Sequence, residues 1–185
     1  MVWTLTWCIL RLLIVAAETE WRKVPTRQGG FLLDGGVHFT AGLRLLLGPS
    51  NPLVSLSAYT AQLQEHLPPV DTVDATLKAK NGATGTFSVS FGTTFEGAEW
   101  MIACEKGVVG VAREEVTING ETKKVENERS GVPPEVRAWA EGLVRGKPNE
   151  TQSPEEALAD LELLDKMLRS GEQGGSAQQL AYQTW

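Results

Sequence analysis

Two side chains inside one apolar stretch have the types and spacing for proton chemistry. Asp34 and His38 lie four residues apart in GGFLLDGGVHFTAGLRLLLG, residues 29–48, and His66 is the chain's other histidine. On a helix, residues at i and i+4 share one side. A carboxylate placed there keeps one imidazole nitrogen protonated and leaves the other to take or give a proton. Histidine's reference pKa of about 6.5 suits both roles near neutrality. Two other readings stand beside this one. If Asp34 opens the helix, its carboxylate caps free backbone amides and His38 becomes an internal residue of the core. A metal site needs more ligands than this pair supplies, and His66, Cys8 and Cys104 show no ligand-like spacing, so no metal is expected.

The element that must position the pair reads as a helix from about Asp34 to Leu47, stopped by Gly48-Pro49. Val37, Ala41 and Leu45 recur on one face of it, with Leu46 beside them, and are the expected apolar side. Gly35 and Gly36 each weaken the first turn by about 1 kcal/mol against alanine. That cost is tolerable where backbone must approach something closely.

From Leu53 onward the period falls to two. VSLSAYTAQLQ and VDATLKAK alternate apolar with polar side chains, and Asn81-Gly82 is a hairpin signal leading to ATGTFSVSF. WMIAC, GVVGVA and EVTI are further short strands, and Asn119-Gly120 turns the chain into ETKKVE. Pro133-Pro134 opens a helix with Val136, Trp139, Ala140 and Leu143 on one face. Ser153-Pro154-Glu155-Glu156 caps a last helix, on which Ala157, Leu161, Leu164 and Leu168 recur up to Gly171. Helix, strands and helices in that order predict an α+β fold: an open, largely antiparallel or mixed β-sheet with helices packed on one face. The other face carries small polar residues such as Ser55, Ser57, Thr86, Ser88 and Ser90, which suit water, a ligand or a partner's sheet.

Composition excludes several function classes. A net charge of -6 without a compact basic patch argues against nucleic acid as a partner. The apolar start, MVWTLTWCILRLLIVAA, lacks a leading basic residue and is broken by Arg11. Its longest uncharged piece, residues 1–10, falls well short of the roughly 20 residues of a membrane helix. Two cysteines do not make a disulfide scaffold, so a reducing, cytoplasmic setting is expected. Neither a G-x-x-x-x-G-K-[ST] nor a G-x-G-x-x-G spacing occurs, nor a G-x-S-x-G elbow. The expected organisation is an apolar remnant or poorly defined segment at 1–18, one main domain at 19–170 and a tail at 171–185.

TEWRKVPTRQGGFLLDGGVHFTAGLRLLLG, residues 19–48, resembles the start of the C-terminal domain of the Gfo/Idh/MocA-like oxidoreductases. Gly29, Gly30, Asp34, Gly36 and His38 carry the resemblance, which runs more loosely to about Arg169. It implies a substrate-binding half acting on a sugar, polyol or related hydroxyl or carbonyl compound, paired in full-length members with a Rossmann domain that holds NAD or NADP. It also implies that His38 exchanges the proton of the substrate hydroxyl and that Asp34 contacts substrate or orients that base. Trp21, Arg22 and Lys23, just before the glycines, would face substrate. Ala41 stands where many members have an acidic residue, and Glu105-Lys106-Gly107 resembles the family's Glu-Lys-Pro motif in two letters, without inheriting its role.

No dinucleotide-binding half is recognisable, so no cofactor is expected for this chain alone. The partners expected are a second copy, giving a dimer, or a Rossmann domain, either one through the open sheet face. The alternative is a non-catalytic domain whose sheet serves oligomerisation or partner binding.

Overall fold

The computed structural model describes the backbone of residues 2–11 and, with side chains, residues 24–25, 30–94, 97–126 and 131–183. Nine strands form one sheet: β1 (Val2–Arg11), β2 (Leu53–Ala61), β3 (Thr72–Ala79), β4 (Thr84–Ser90), β5 (Gly97–Cys104), β6 (Gly107–Ala112), β7 (Glu115–Ile118), β8 (Glu121–Lys124) and β9 (Gln178–Gln179). Their spatial order is β8-β7-β6-β5-β1-β4-β3-β2-β9. Every neighbouring pair is antiparallel except β1 with β4. The helices are α1 (Gly30–Leu47), α2 (Val132–Arg145) and α3 (Pro154–Glu172). The fold is the expected α+β arrangement, its sheet mixed through a single parallel pair.

Local rules explain most of these elements. Asn119 and Gly120 adopt φ values of 51° and 87°, the left-handed pair that a two-residue hairpin between β7 and β8 requires. The Ser153 hydroxyl accepts the Glu156 N–H at 3.1 Å and Pro154 opens α3, the capping arrangement read from the sequence. Alternation along β3 sends Val73, Ala75, Leu77 and Ala79 inward and leaves Asp74, Thr76 and Lys78 exposed. Facing them across the core are Leu32, Leu43 and Leu47 of α1 and Leu163, Leu164, Met167 and Leu168 of α3. Fully burying each such side chain contributes about 1.5–3 kcal/mol.

Three helix faces differ from expectation. The core side of α1 is Leu32, Gly35, Gly36, Thr40, Leu43 and Leu47, whereas Leu45 is 71% exposed. Periodicity counted only side chains, and glycines contribute none. Yet a Cβ on Gly35 would meet the Phe91 ring at 2.7 Å, and one on Gly36 would meet Leu164 at 3.0 Å. The glycines therefore mark the side on which α1 lies nearest to the core. On α3 the buried face runs through Ala159, Leu163, Leu164, Met167 and Leu168, so Leu161 and Ala157 lie outside it. On α2, Val136, Trp139, Ala140 and Leu143 are all exposed, and Gly142 is its one buried residue.

Candidate functional site

α1 begins at Gly30, so Asp34 stands in its second turn and not at its cap. Asp34 is half-buried and His38 is exposed. Asp34, His38, Ala41 and Leu45 run along one outward stripe at i, i+4, i+7 and i+11, opposite the side that packs on the sheet and α3. The cap-and-core alternative therefore lacks both its placements. This stripe can offer an imidazole to a bound molecule with a carboxylate one turn away. Trp21, Arg22, Lys23 and Gly29 lie outside the described residues. His66 is exposed in the loop after β2.

The core holds the helix that carries the pair on several sides. The Phe31 and Phe91 rings meet edge-on with centroids 5.0 Å apart, and Phe39 lies against Trp100 at 6.1 Å. The Thr40 hydroxyl reaches the Val37 carbonyl at 2.8 Å and the Asp160 carbonyl at 3.2 Å, which ties α1 to α3.

A second polar cluster occupies the far end of α1, and sequence spacing did not find it. Arg44 pairs through Nη1 with Asp160 at 2.6 Å and Glu156 at 2.8 Å, and its Nε donates to Gln183 Oε1 at 3.0 Å. Gln183 in turn donates to the Ala159 carbonyl and to Glu162, each at 2.9 Å. Glu162 accepts the Ala181 and Tyr182 N–H groups at 2.6 and 2.9 Å, which fastens the tail. Burial raises the Asp160 carboxyl above its ordinary value, although the hydrogen bond and charge of Arg44 oppose the rise. A guanidinium inside the run Leu43-Arg44-Leu45-Leu46-Leu47 was the available signal, since such a side chain is buried only with partners.

Beside this cluster opens a cleft of 910 Å³, lined from Ala41 along α1 to Pro52 and by residues of the 149–156 segment. His38 does not line it. Ala41 and Leu45 line this cleft as well as lying on the outward stripe, so the cleft adjoins the stripe's C-terminal end, with Asp34 and His38 beyond it. Among the described residues no group of His, Cys, Asp and Glu suits a metal ion. No described helix is long and apolar enough to cross a membrane.

Comparison with known proteins agrees with this architecture. Residues 11–178 match the model of the oxidoreductase family, C-terminal alpha/beta domain. Dehydrogenase FPY6 of Fusarium mangiferae is 38% identical over 169 residues, covering 86% of this chain and 48% of that protein. An oxidoreductase from Thermotoga maritima superposes with a TM-score of 0.83 at 28% identity, covering 96% of this chain and 53% of its own. The WlbA dehydrogenase of Bordetella pertussis, in complex with NADH and UDP-GlcNAcA, shares the fold with a TM-score of 0.74 at 23% identity, covering 97% of this chain and 57% of its own. The chain belongs to the Gfo/Idh/MocA oxidoreductase family as its C-terminal α/β domain. It spans about half the length of these relatives.

Proposed function

We propose that this chain is the substrate-binding half of an NAD(P)-dependent oxidoreductase acting on a sugar, polyol or related hydroxyl or carbonyl compound. The observation that carries this reading is the outward stripe of α1, where exposed His38 follows half-buried Asp34 by one turn on a helix otherwise held in the core. His38 takes the proton of the substrate hydroxyl and returns it in the reverse direction, while Asp34 orients the ring or contacts the same substrate. Trp21, Arg22 and Lys23 contribute to the substrate side just ahead of the helix. The sugar bound by the structurally similar WlbA dehydrogenase supports this substrate class.

The described residues do not fit a dinucleotide. A phosphate cradle needs a strand passing through a tight glycine turn into a helix N-terminus, and no strand among the described residues does so. In this reading a separate dinucleotide-binding domain presents the nicotinamide, and this chain's part is the substrate and its proton. Calorimetric titration of the chain with NADH or NADPH is expected to give no micromolar binding.

The test uses the two histidines as reporters. In a titration with a panel of sugars and polyols, one class is expected to shift the ring signals of His38 and leave those of His66 in place. A panel that moves neither at tens of millimolar overturns the reading. In a fusion to the dinucleotide-binding domain of a relative, His38→Ala is expected to lower kcat by about 10²-fold or more. Because His38 is exposed, stability should change by no more than about 0.5 kcal/mol. Lost stability with unchanged turnover would return His38 to a structural role.

A second reading draws on the face of β2, β3 and β4 turned away from the helices. Tyr59 is exposed there beside Asp74, with Thr76, Thr86 and Ser88 in register. Short hydroxyl side chains leave this face flat enough for another sheet, of a second copy or of a cofactor domain. Sedimentation of the chain decides between a monomer and a dimer.

A further inference from the structure

The Asp34–His38 stripe is held in place only as well as the first turns of α1, and beside the core packing of Leu32 and Gly36 two contacts from neighbouring loops fix those turns. The first is main-chain: Gly30 sits at φ 47° so close to the Pro68 carbonyl that any side chain there would collide with it. The second is aromatic: Phe91, 2% exposed, packs edge-on against Phe31 and closes over Gly35. Pro68 and Phe91 lie in different loops, and both loops are fastened at one residue.

That residue is Asp71, 1% exposed at the entry to β3. Its Oδ2 accepts the N–H groups of Leu63 and Gln64 at 2.9 and 2.7 Å, and Oδ1 accepts the Thr72 hydroxyl at 2.8 Å. These bonds hold the start of the 62–70 loop that carries Pro68. Its own carbonyl accepts the Phe91 N–H at 2.9 Å. The two arms are cross-tied, because Gln64 Nε2 donates to the Gly92 carbonyl at 2.9 Å. A buried carboxylate is costly unless its acceptors are filled, and here three donors fill them. Charge-assisted bonds of this kind are roughly twice as strong as neutral ones.

We propose that Asp71 is the positioning residue of the acid–base stripe, setting through Pro68 and Phe91 the orientation of the helix turns that present Asp34 and His38. The inference rests on the reading of that stripe as the reactive face. Its scope is local. The far half of α1 is held independently by Leu43, Leu47 and the Arg44 cluster, and so does not depend on Asp71.

The experiment is hydrogen exchange and NMR on the folded chain. In Asp71→Ala, exchange of the amides of residues 31–38 is expected to rise about tenfold or more, while residues 159–168 stay within about twofold of the parent. The His38 ring signals shift with them, and those of His66 report the freed loop. Asp71→Asn is expected to restore most of the parent pattern. Its carbonyl can accept the two N–H groups, and its amide can donate to the Thr72 hydroxyl.

Equal acceleration of both segments would mean a plain loss of stability and overturns the proposal. So does an unchanged 31–38 segment, or an Asp71→Asn variant indistinguishable from Asp71→Ala. If Asp71→Ala does not fold, Phe91→Leu cuts the aromatic arm alone and is judged by the same two segments. None of these readouts needs turnover. A chain whose His38 moves as expected but which never takes a sugar or polyol would keep this inference and lose the functional one.

Discussion

α1 and α2 each show an apolar stripe at helical spacing, and the structure treats them in opposite ways. α1 turns a stripe of leucines and glycines into the core and carries Asp34 and His38 on its back. α2 leaves Val132, Val136, Trp139 and Leu143 outside, each more than half exposed, and rests on the chain through Gly142 against the backbone of residues 147–149. An amphipathic pattern states which side of a helix gains from being covered. Whether the same chain supplies the cover is a separate matter, decided by what the connecting segments allow. α1 is joined to the sheet by a short turn before β2, and packs into the core. α2 follows the hairpin at the far edge of the sheet, away from the main core.

The contrast is sharpest in paired truncations. Leu43 of α1 is fully buried, so Leu43→Ala is expected to cost about 2–5 kcal/mol through lost burial and the cavity left behind. Urea denaturation gives the value, and a loss below about 1 kcal/mol would mean that α1 is not seated as described. Next in size is Gly35→Ala. Its new methyl would lie 2.7 Å from the buried Phe91 ring, an overpacking of about 1–3 kcal/mol set against a propensity gain of about 1. The expected net loss is about 1 kcal/mol. Gly36→Ala meets only the end of the Leu164 side chain, at 3.0 Å, and should come out near neutral. A reversed order for the two glycines would put the wrong side of α1 against Phe91.

Those glycines show what could and could not be read beforehand. The β3–β4 hairpin was legible because Asn81-Gly82 separates two runs of period two, and the α3 start because Ser153-Pro154 has a local capping chemistry. The inner face of α1 was not, since an apolar count sees nothing at Gly35 and Gly36. β1 was not legible within the apolar segment at 1–18, because a short apolar run fits helix and strand alike. Its parallel pairing with β4 depends on residues about eighty positions away. The proposed pair, Asp34 and His38, stands out in the sequence through its i,i+4 spacing. The Asp71 clasp and the Arg44 cluster were not, because their partners are brought together only by the finished fold, in the second case across 116 residues.

The Arg44 cluster offers a smaller test, on the boundary between the seated and the exposed parts of α1. With its carboxyl raised by burial, Asp160 binds its proton more tightly in the folded chain than in the unfolded one. Its contribution to stability is therefore complete below the unfolded value of about 3.9 and declines as pH rises through the folded value. Asp160→Asn removes that decline. The difference between parent and variant in urea midpoint should drift in the variant's favour as pH rises from about 4. A drift of opposite sign would mean that the Arg44 ion pair outweighs desolvation and stabilises the charged form.

A small effect is also expected on α2, and it tests the comparison from the other side. Leu143 is 58% exposed and Trp139 56%, so truncating either removes little that the folded chain has taken from water. Leu143→Ala should change stability by no more than about 0.5 kcal/mol, against several for Leu43→Ala on a side chain of the same size. The fluorescence of Trp139 provides the independent check, since an exposed indole is quenched readily by iodide. Comparing the parent with Trp139→Phe isolates its share of the emission. If Leu143→Ala instead costs 2 kcal/mol or more and Trp139 resists quenching, α2 is covered in solution and its stripe is buried like that of α1. A loss that appears only at high protein concentration would identify the cover as a second copy, because association alone makes stability depend on concentration.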